Sequence, residues 1–172
     1  MKKSILLVSL AIVNWGAFAQ HDHSTDAHDS KKEMSQMAPM FKDQKVTDAY
    51  AQYIDLKNAL VASDAMKVAD ASAGLVLALQ DVKNGTKLFN QAKVVAGAKN
   101  LEETRKMFAA LSVEMLALVK ANKLSMGAIY VEYCPMANGN AGASWLSNEA
   151  AIMNPYFGDK MLKCGSVKET IQ

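Results

Sequence analysis

The segment that most constrains the fold runs from residue 133 to residue 165 and reads YCPMANGNAGASWLSNEAAIMNPYFGDKMLKCG. It holds both cysteines of the chain and three methionines: Cys134, Met136, Met153, Met161 and Cys164. The residues before it show the spacing of amphipathic helices, whereas this segment shows no such period. We therefore predict a helical body that carries an irregular cap.

The tripeptide CPM at residues 134–136 places a thiol and a thioether two positions apart. In an extended chain, residues i and i+2 point to the same side, and a proline biases the residue before it toward extended geometry. Both sulfur atoms are then expected to face one point. Thiolate and thioether donors favour Cu(I) over hard cations. We predict that Cys134 and Cys164 hold a soft ion, completed by Met136, Met161 or Met153.

The same cysteines support a second interpretation. In an oxidising compartment, two cysteines pair as a disulfide by default. A bond between Cys134 and Cys164 would close a loop of about 30 residues and contribute roughly 3–4 kcal/mol on the chain-entropy model. The alternative to a metal-binding protein is thus a disulfide-stapled helical module that binds an envelope protein and no metal.

Residues 1–19 have the pattern of a secretory signal peptide. Two lysines start it, residues 5–13 are apolar, and residues 17–19 form a small-x-small cleavage site. The apolar run is too short to span a membrane. We expect a periplasmic or otherwise exported protein with no membrane span after cleavage.

Cleavage would also change the charge balance. The whole chain has 19 basic and 17 acidic residues. Loss of Lys2 and Lys3 leaves 17 of each kind. A balanced chain does not indicate a nucleic-acid partner.

Residues 20–45 are polar and lack aliphatic periodicity, so we predict a disordered tail rich in His and Met. Imidazole suits Cu(II) and thioethers suit Cu(I). The spacing of its methionines resembles the motifs of copper transporters and periplasmic copper carriers. The tail is a weaker candidate metal site than the cap, with His21, His23, His28, Met34, Met37 and Met40 as ligands. A solvated linker is the alternative.

Residues 46–172 are predicted to form one all-α domain, an antiparallel up-down bundle of three to four helices with the cap at residues 128–167. Asp64 and Asn100 are predicted helix caps. Lys57 lies inside the first apolar stripe and is expected to snorkel to the surface.

Three methionines of the bundle fall at core spacing and are interpreted as packing residues: Met66, Met107 and Met115. Residues 128–133 (AIYVEY) are β-branched and aromatic and indicate a short extended segment.

Enzyme chemistry is not indicated. No histidine lies in residues 46–172, and the chain has neither a Cys-x-x-Cys pair nor a phosphate-binding glycine loop. These absences remove the common nucleophilic, redox and phosphoryl-transfer arrangements. We therefore expect a protein that is not an enzyme.

The cap also resembles a known family. Its pattern YCPM…GASWLS…I.NPYFG.KML.CG.V is similar to an uncharacterised periplasmic domain family found alone or appended to CusB-like heavy-metal efflux adaptors. The YCPM element resembles the short metal-binding domains of copper pumps, although Ala137 stands where those usually carry a histidine.

The resemblance implies copper or silver handling, with a heavy-metal efflux adaptor as a partner. It implies four soft-metal ligands, Cys134, Met136, Met161 and Cys164. The residues that it implies as support are Trp145, Asn154, Pro155, Tyr156 and Phe157. From residues and resemblance together, we predict a periplasmic Cu(I)-binding protein for copper handling or delivery to an efflux system.

Overall fold

The computed structural model describes residues 37–172 of the chain. Four helices form its first part: α1 (Gln44–Val61), α2 (Ala65–Leu79), α3 (Thr86–Ala96) and α4 (Leu101–Ala121). Each helix packs against the next along the chain, and α1 also contacts α4. Within residues 37–172, no helix is both long enough and apolar enough to cross a membrane.

Side-chain caps define the helix starts. The Asp64 carboxylate accepts a backbone N–H at 3.1 Å, and the Asn100 amide oxygen accepts another at 3.0 Å. Both caps were predicted from the sequence and are confirmed. The first helix starts earlier than its apolar stripe indicated, because Asp43 caps it from within the expected tail.

The predicted tail extends too far into the fold. Strand β1 (Met40–Phe41) pairs antiparallel with β2 (Leu124–Met126), the strand that follows α4. Phe41 is only 4% exposed, so this segment is anchored in the core. Residues 40–45 therefore belong to the folded domain. The remaining tail ligands, His21, His23, His28 and Met34, lie outside the described residues.

The prediction of an all-α fold is wrong, because the chain after α4 also forms a three-stranded antiparallel sheet. Its central strand is β3 (Ile129–Cys134), flanked by β4 (Ala143–Ser147) and β5 (Ser166–Ile171). A short helix, α5 (Ala137–Asn140), joins β3 to β4. A 3₁₀ turn, Gly158–Lys160, lies in the long connection to β5. The fold is mixed α and β.

The physical reason for the error is that a sheet is built from distant segments. The β-branched and aromatic residues of β3 indicated an extended segment, and that prediction is confirmed. Its partners, ASWLS and SVKETI, are short and contain small or charged residues that carry little strand preference. Only their pairing with β3 makes them strands.

A chain of buried aromatic rings joins the helices to the sheet. Successive ring centroids are 5.3–6.3 Å apart. The rings are, in spatial order, Phe41, Tyr50, Tyr53, Phe108, Tyr156 and Trp145. The Tyr53 hydroxyl lies 2.8 Å from the Ser112 hydroxyl and accepts the backbone N–H of Leu146 at 3.1 Å. One oxygen atom thus connects α1, α4 and β4.

The bundle methionines divide into two kinds. Met115 is fully buried, and Met107 packs partly against the core, as the helical spacing predicted. Met66 is 80% exposed, so its interpretation as a core residue is wrong. At helical spacing it lies on the side of α2 opposite the buried residues Val68, Leu75 and Leu79.

Replacing Tyr53 by Phe tests the central hydrogen bonds. The change keeps the ring but leaves the buried N–H of Leu146 without its acceptor, and we expect a loss of about 1–3 kcal/mol in the free energy of unfolding. Urea denaturation measures it. Tyr130→Phe is the matched control, since Tyr130 is half-buried on β3 and takes no part in the hydrogen bonds of Tyr53. Equal stability of the two variants would contradict this role for Tyr53.

Candidate functional site

The two cysteines meet at the end of the central strand. Cys134 is the last residue of β3 and is fully buried, while Cys164 is half-buried in the turn that precedes β5. Both are free thiols, and their sulfur atoms lie 2.8 Å apart. Hydrogen bonding to Cys134 raises the pKa of the Cys164 thiol, and partial burial acts in the same direction. The two groups are close enough to react or to bind as one unit.

Asn154 holds the turn that carries Cys164. It is fully buried, and its side-chain amide donates to the carbonyl oxygen of Cys164 at 2.7 Å. Its backbone N–H donates to the carbonyl of Leu162 at 2.8 Å, and its side-chain oxygen accepts the N–H of Tyr156 at 2.8 Å. A buried amide with all these contacts fixes the turn relative to the sheet.

Gly165 lets the chain leave this turn toward β5. Its φ of +143° lies in a region that side chains rarely adopt. A Cβ atom at this position would stand 2.9 Å from the Trp145 ring and 3.0 Å from the carbonyl oxygen of Tyr133. The glycine therefore permits the close approach that brings Cys164 over Cys134.

Pro155 and Tyr156, two further residues that the family resemblance implies as support, also hold the cap in place. The Arg105 guanidinium donates to the carbonyl oxygens of Pro155 at 3.0 Å and Leu60 at 2.9 Å, so it ties the cap to the end of α1. The Tyr156 hydroxyl donates to the carbonyl of Ser144 at 2.7 Å. These contacts position the segment around the thiols without touching them.

The thioethers of Met136 and Met161 line one surface groove of about 1030 Å³, together with Phe157 and the first turn of α4. Neither cysteine lines this groove. Met136 has helical dihedral angles (φ −87°, ψ −11°), because the chain turns at Pro135. The extended geometry expected across residues 134–136 therefore ends at the cysteine. The structure brings together two thiols and, separately, two thioethers.

Met153 lies beside a positive charge. The Lys163 ammonium donates to its sulfur at 3.3 Å. Within residues 37–172, no group of three or more His, Cys, Asp or Glu side chains is arranged to hold a metal ion. The soft donors that this part of the chain offers to a metal ion are therefore thiols and thioethers.

The sequence analysis missed a buried carboxyl group beside the thiols. Glu132 is fully buried on β3, and neither of its oxygens has a hydrogen-bond partner among the described residues. Burial raises its pKa to about 7, while Lys57 opposes the rise. The indole N–H of Trp145 also acts to lower the pKa of Glu132. Its geometry does not amount to a hydrogen bond with the Glu132 carboxyl group.

Lys57 is only 6% exposed, so the expected snorkelling does not occur. Burial lowers its pKa, and the charges of Glu132 and Glu149 oppose that shift. Strand periodicity places Glu132 on the same face of β3 as Cys134, but the burial of that face and of Lys57 is set by the packing of the sheet on the helices.

One protein-family comparison bears on the chain. The family described as "Protein of unknown function (DUF3347)" matches residues 49–127. The match runs from α1 to the residue after β2, so it supports similarity to an uncharacterised domain family over the helical body. It does not reach the segment at residues 133–165, and it does not test the association with efflux adaptors. Neither the curated proteins nor the solved structures gave a match.

The buried carboxyl group makes stability depend on pH. Folded Glu132 keeps its proton up to about pH 7, whereas the unfolded residue loses it near 4.5. The folded state binds more protons in this window, so its stability falls as pH rises through it. We expect Glu132→Gln to remove this part of the fall, measured by urea denaturation across the window.

Glu169→Gln on the neighbouring strand is the control for that experiment, because Glu169 is exposed and pairs with Lys120 at the surface. It should keep the pH slope of the parent protein. A Glu132→Gln variant whose stability runs parallel to the parent at every pH would show that Glu132 does not retain its proton.

Proposed function

We propose that this protein binds a soft metal ion, Cu(I) or Ag(I), through the thiolates of Cys134 and Cys164. The observation that supports the proposal is the 2.8 Å contact between the two sulfur atoms. Thiolate is a soft ligand that favours Cu(I) over hard cations, and it also binds Zn(II) and iron–sulfur clusters. The two donors come from segments 30 residues apart, so the fold itself brings them together.

Ion binding at this pair displaces protons. Both thiols must become thiolates to act as ligands, and the raised pKa of Cys164 makes its proton compete with the metal. The affinity of this site for Cu(I) is therefore expected to rise with pH. Cys134 is held in a strand, whereas Cys164 lies in a turn. When an ion binds, we therefore expect the Cys164 sulfur to move more than the Cys134 sulfur.

The thioethers give the site an access route. Met136 follows Cys134 by two residues, and Met161 precedes Cys164 by three. Both line the same groove, and Met136 is 45% exposed. In this proposal their neutral soft donors receive the ion at the surface, in the groove, before it passes to the thiolate pair.

The cellular role proposed is copper handling in the periplasm, or delivery of copper to an efflux system. The export pattern of residues 1–19 and the likeness of the cap to domains of heavy-metal efflux adaptors support it. The proposed partner is such an adaptor, which would receive the ion from the groove that Met136 and Met161 line.

The same sulfur contact favours a second function. A bond between Cys134 and Cys164 would tie β3 to the turn before β5, and it would form readily in an oxidising compartment. The protein would then be a stapled interaction module that presents the cap to an envelope partner and binds no metal.

Thiol counting separates the two functions. For a soft-metal protein we expect two free thiols in protein purified from its native compartment, and both should become protected when one equivalent of Cu(I) is added. The measurement is alkylation followed by mass spectrometry. A complete Cys134–Cys164 disulfide, with no Cu(I) uptake after mild reduction, would contradict metal binding and favour the stapled module.

The role of the thioethers has its own test. Met136→Leu should weaken Cu(I) binding by roughly tenfold or more, as loss of metal-site contacts typically does. The fold should survive, because Leu and Met are close in volume. Competition with a Cu(I) chelator measures the affinity.

Met115→Leu is the matched control for the thioether, since Met115 is buried in α4 and lies outside the cap. It should bind Cu(I) as the parent does. If Met136→Leu also keeps the parent affinity, the thioether has no part in the site and the thiols act alone.

A further inference from the structure

The short ribbon formed by β1 and β2 exposes methionines on its solvent face. Met40 and Met126 are directly opposite each other in the antiparallel register. Opposite residues share one face, with Cβ atoms about 4.5–5.5 Å apart. Met40 is 41% exposed and Met126 is 36% exposed. Phe41, the residue after Met40, is buried in the core.

A third methionine lies beside this pair. Met37 is 49% exposed, and its carbonyl oxygen would lie 2.7 Å from a Cβ atom built on Gly127. The backbone of Met37 therefore passes against the residue that follows Met126. Three exposed methionines thus lie on neighbouring stretches of backbone at the end of the domain where α4 finishes.

The backbone around these methionines is well held. The Ser125 hydroxyl donates to the carbonyl oxygen of Met40 at 2.9 Å, and the N–H of Lys42 donates to the carbonyl of Lys123 at 3.2 Å. Gly127, with φ of +80°, allows the contact with Met37. Ligands carried by an ordered backbone bind with a lower ordering cost than ligands on a free chain.

We propose that Met37, Met40 and Met126 form a second soft-metal site, built from thioethers alone and selective for Cu(I) or Ag(I). It shares no residue with the cysteine pair and does not depend on that pair binding metal. Thioethers are neutral soft donors. Lys42 and Lys123 flank the ribbon, so a monovalent ion suits this site better than a divalent one.

The absence of titrating ligands distinguishes this site from the thiol pair. A thioether has no proton to lose, so ion binding releases none and its affinity stays constant over the range in which thiols ionise. Met126 comes from the body of the domain, whereas Met37 and Met40 come from the segment before α1. The site therefore exists only when β1 and β2 are paired.

Titration with Ag(I), followed by NMR of methyl-labelled methionines, tests the proposal in the otherwise unaltered protein. We expect the methyl signals of Met37, Met40 and Met126 to shift together with one apparent affinity, unchanged between about pH 6 and about pH 8. Met126→Leu should lower that affinity at Met37 and Met40 by at least about tenfold.

Met66→Leu is the control, because Met66 is also an exposed methionine but stands alone on α2. It should leave the ribbon affinity unchanged. The proposal is overturned if the Met126 methyl does not shift with the other two, or if Met126→Leu binds Ag(I) as the parent does. Thermal melts by circular dichroism verify that the variant is folded. Loss of binding at the cysteines alone would be visible in the thiol count and would leave these three methyl signals unaffected.

Discussion

The position of the sheet on the helices depends on the buried hydroxyl of Tyr53. That oxygen accepts the backbone N–H of Leu146 and contacts the Ser112 hydroxyl, so it joins α1, α4 and β4 at a single atom. Its ring stacks on Phe108, with centroids 5.3 Å apart. A buried donor without an acceptor is costly, so β4 is held in one register over α4.

The thiol geometry follows from that register. Trp145 on β4 lies opposite Glu132 on β3, and Ala143 lies opposite Cys134. The small side chain of Ala143 leaves room at the end of β3, and Gly165 lets the returning chain approach Trp145 closely. The meeting of Cys134 and Cys164 is thus a consequence of how the strands pair and pack on the helices, and Glu132 is buried on the same strand as Cys134.

The groove proposed as the access route to the thiols and the methionine ribbon lie at opposite ends of α4. The groove lined by Met136 and Met161 includes the first turn of this helix, and the methionine ribbon includes the strand that follows its last turn. A helix of 21 residues spans about 30 Å. In the two proposals the thiol pair and the thioether ribbon share no residue, and only the thiol pair would release protons when an ion binds.

The sequence by itself determined the local features of this protein. It identified the caps Asp64 and Asn100, the course of the helices, and the extended character of β3, because each rests on neighbouring residues. It also determined which residues carry sulfur donors. The tertiary structure alone decided which strands pair with β3, that Cys134 and Cys164 touch, that Met126 stands beside Met40, and that Lys57 and Glu132 are buried. Those facts join segments far apart in the chain, and backbone pairing and core packing, rather than local preference, set such contacts.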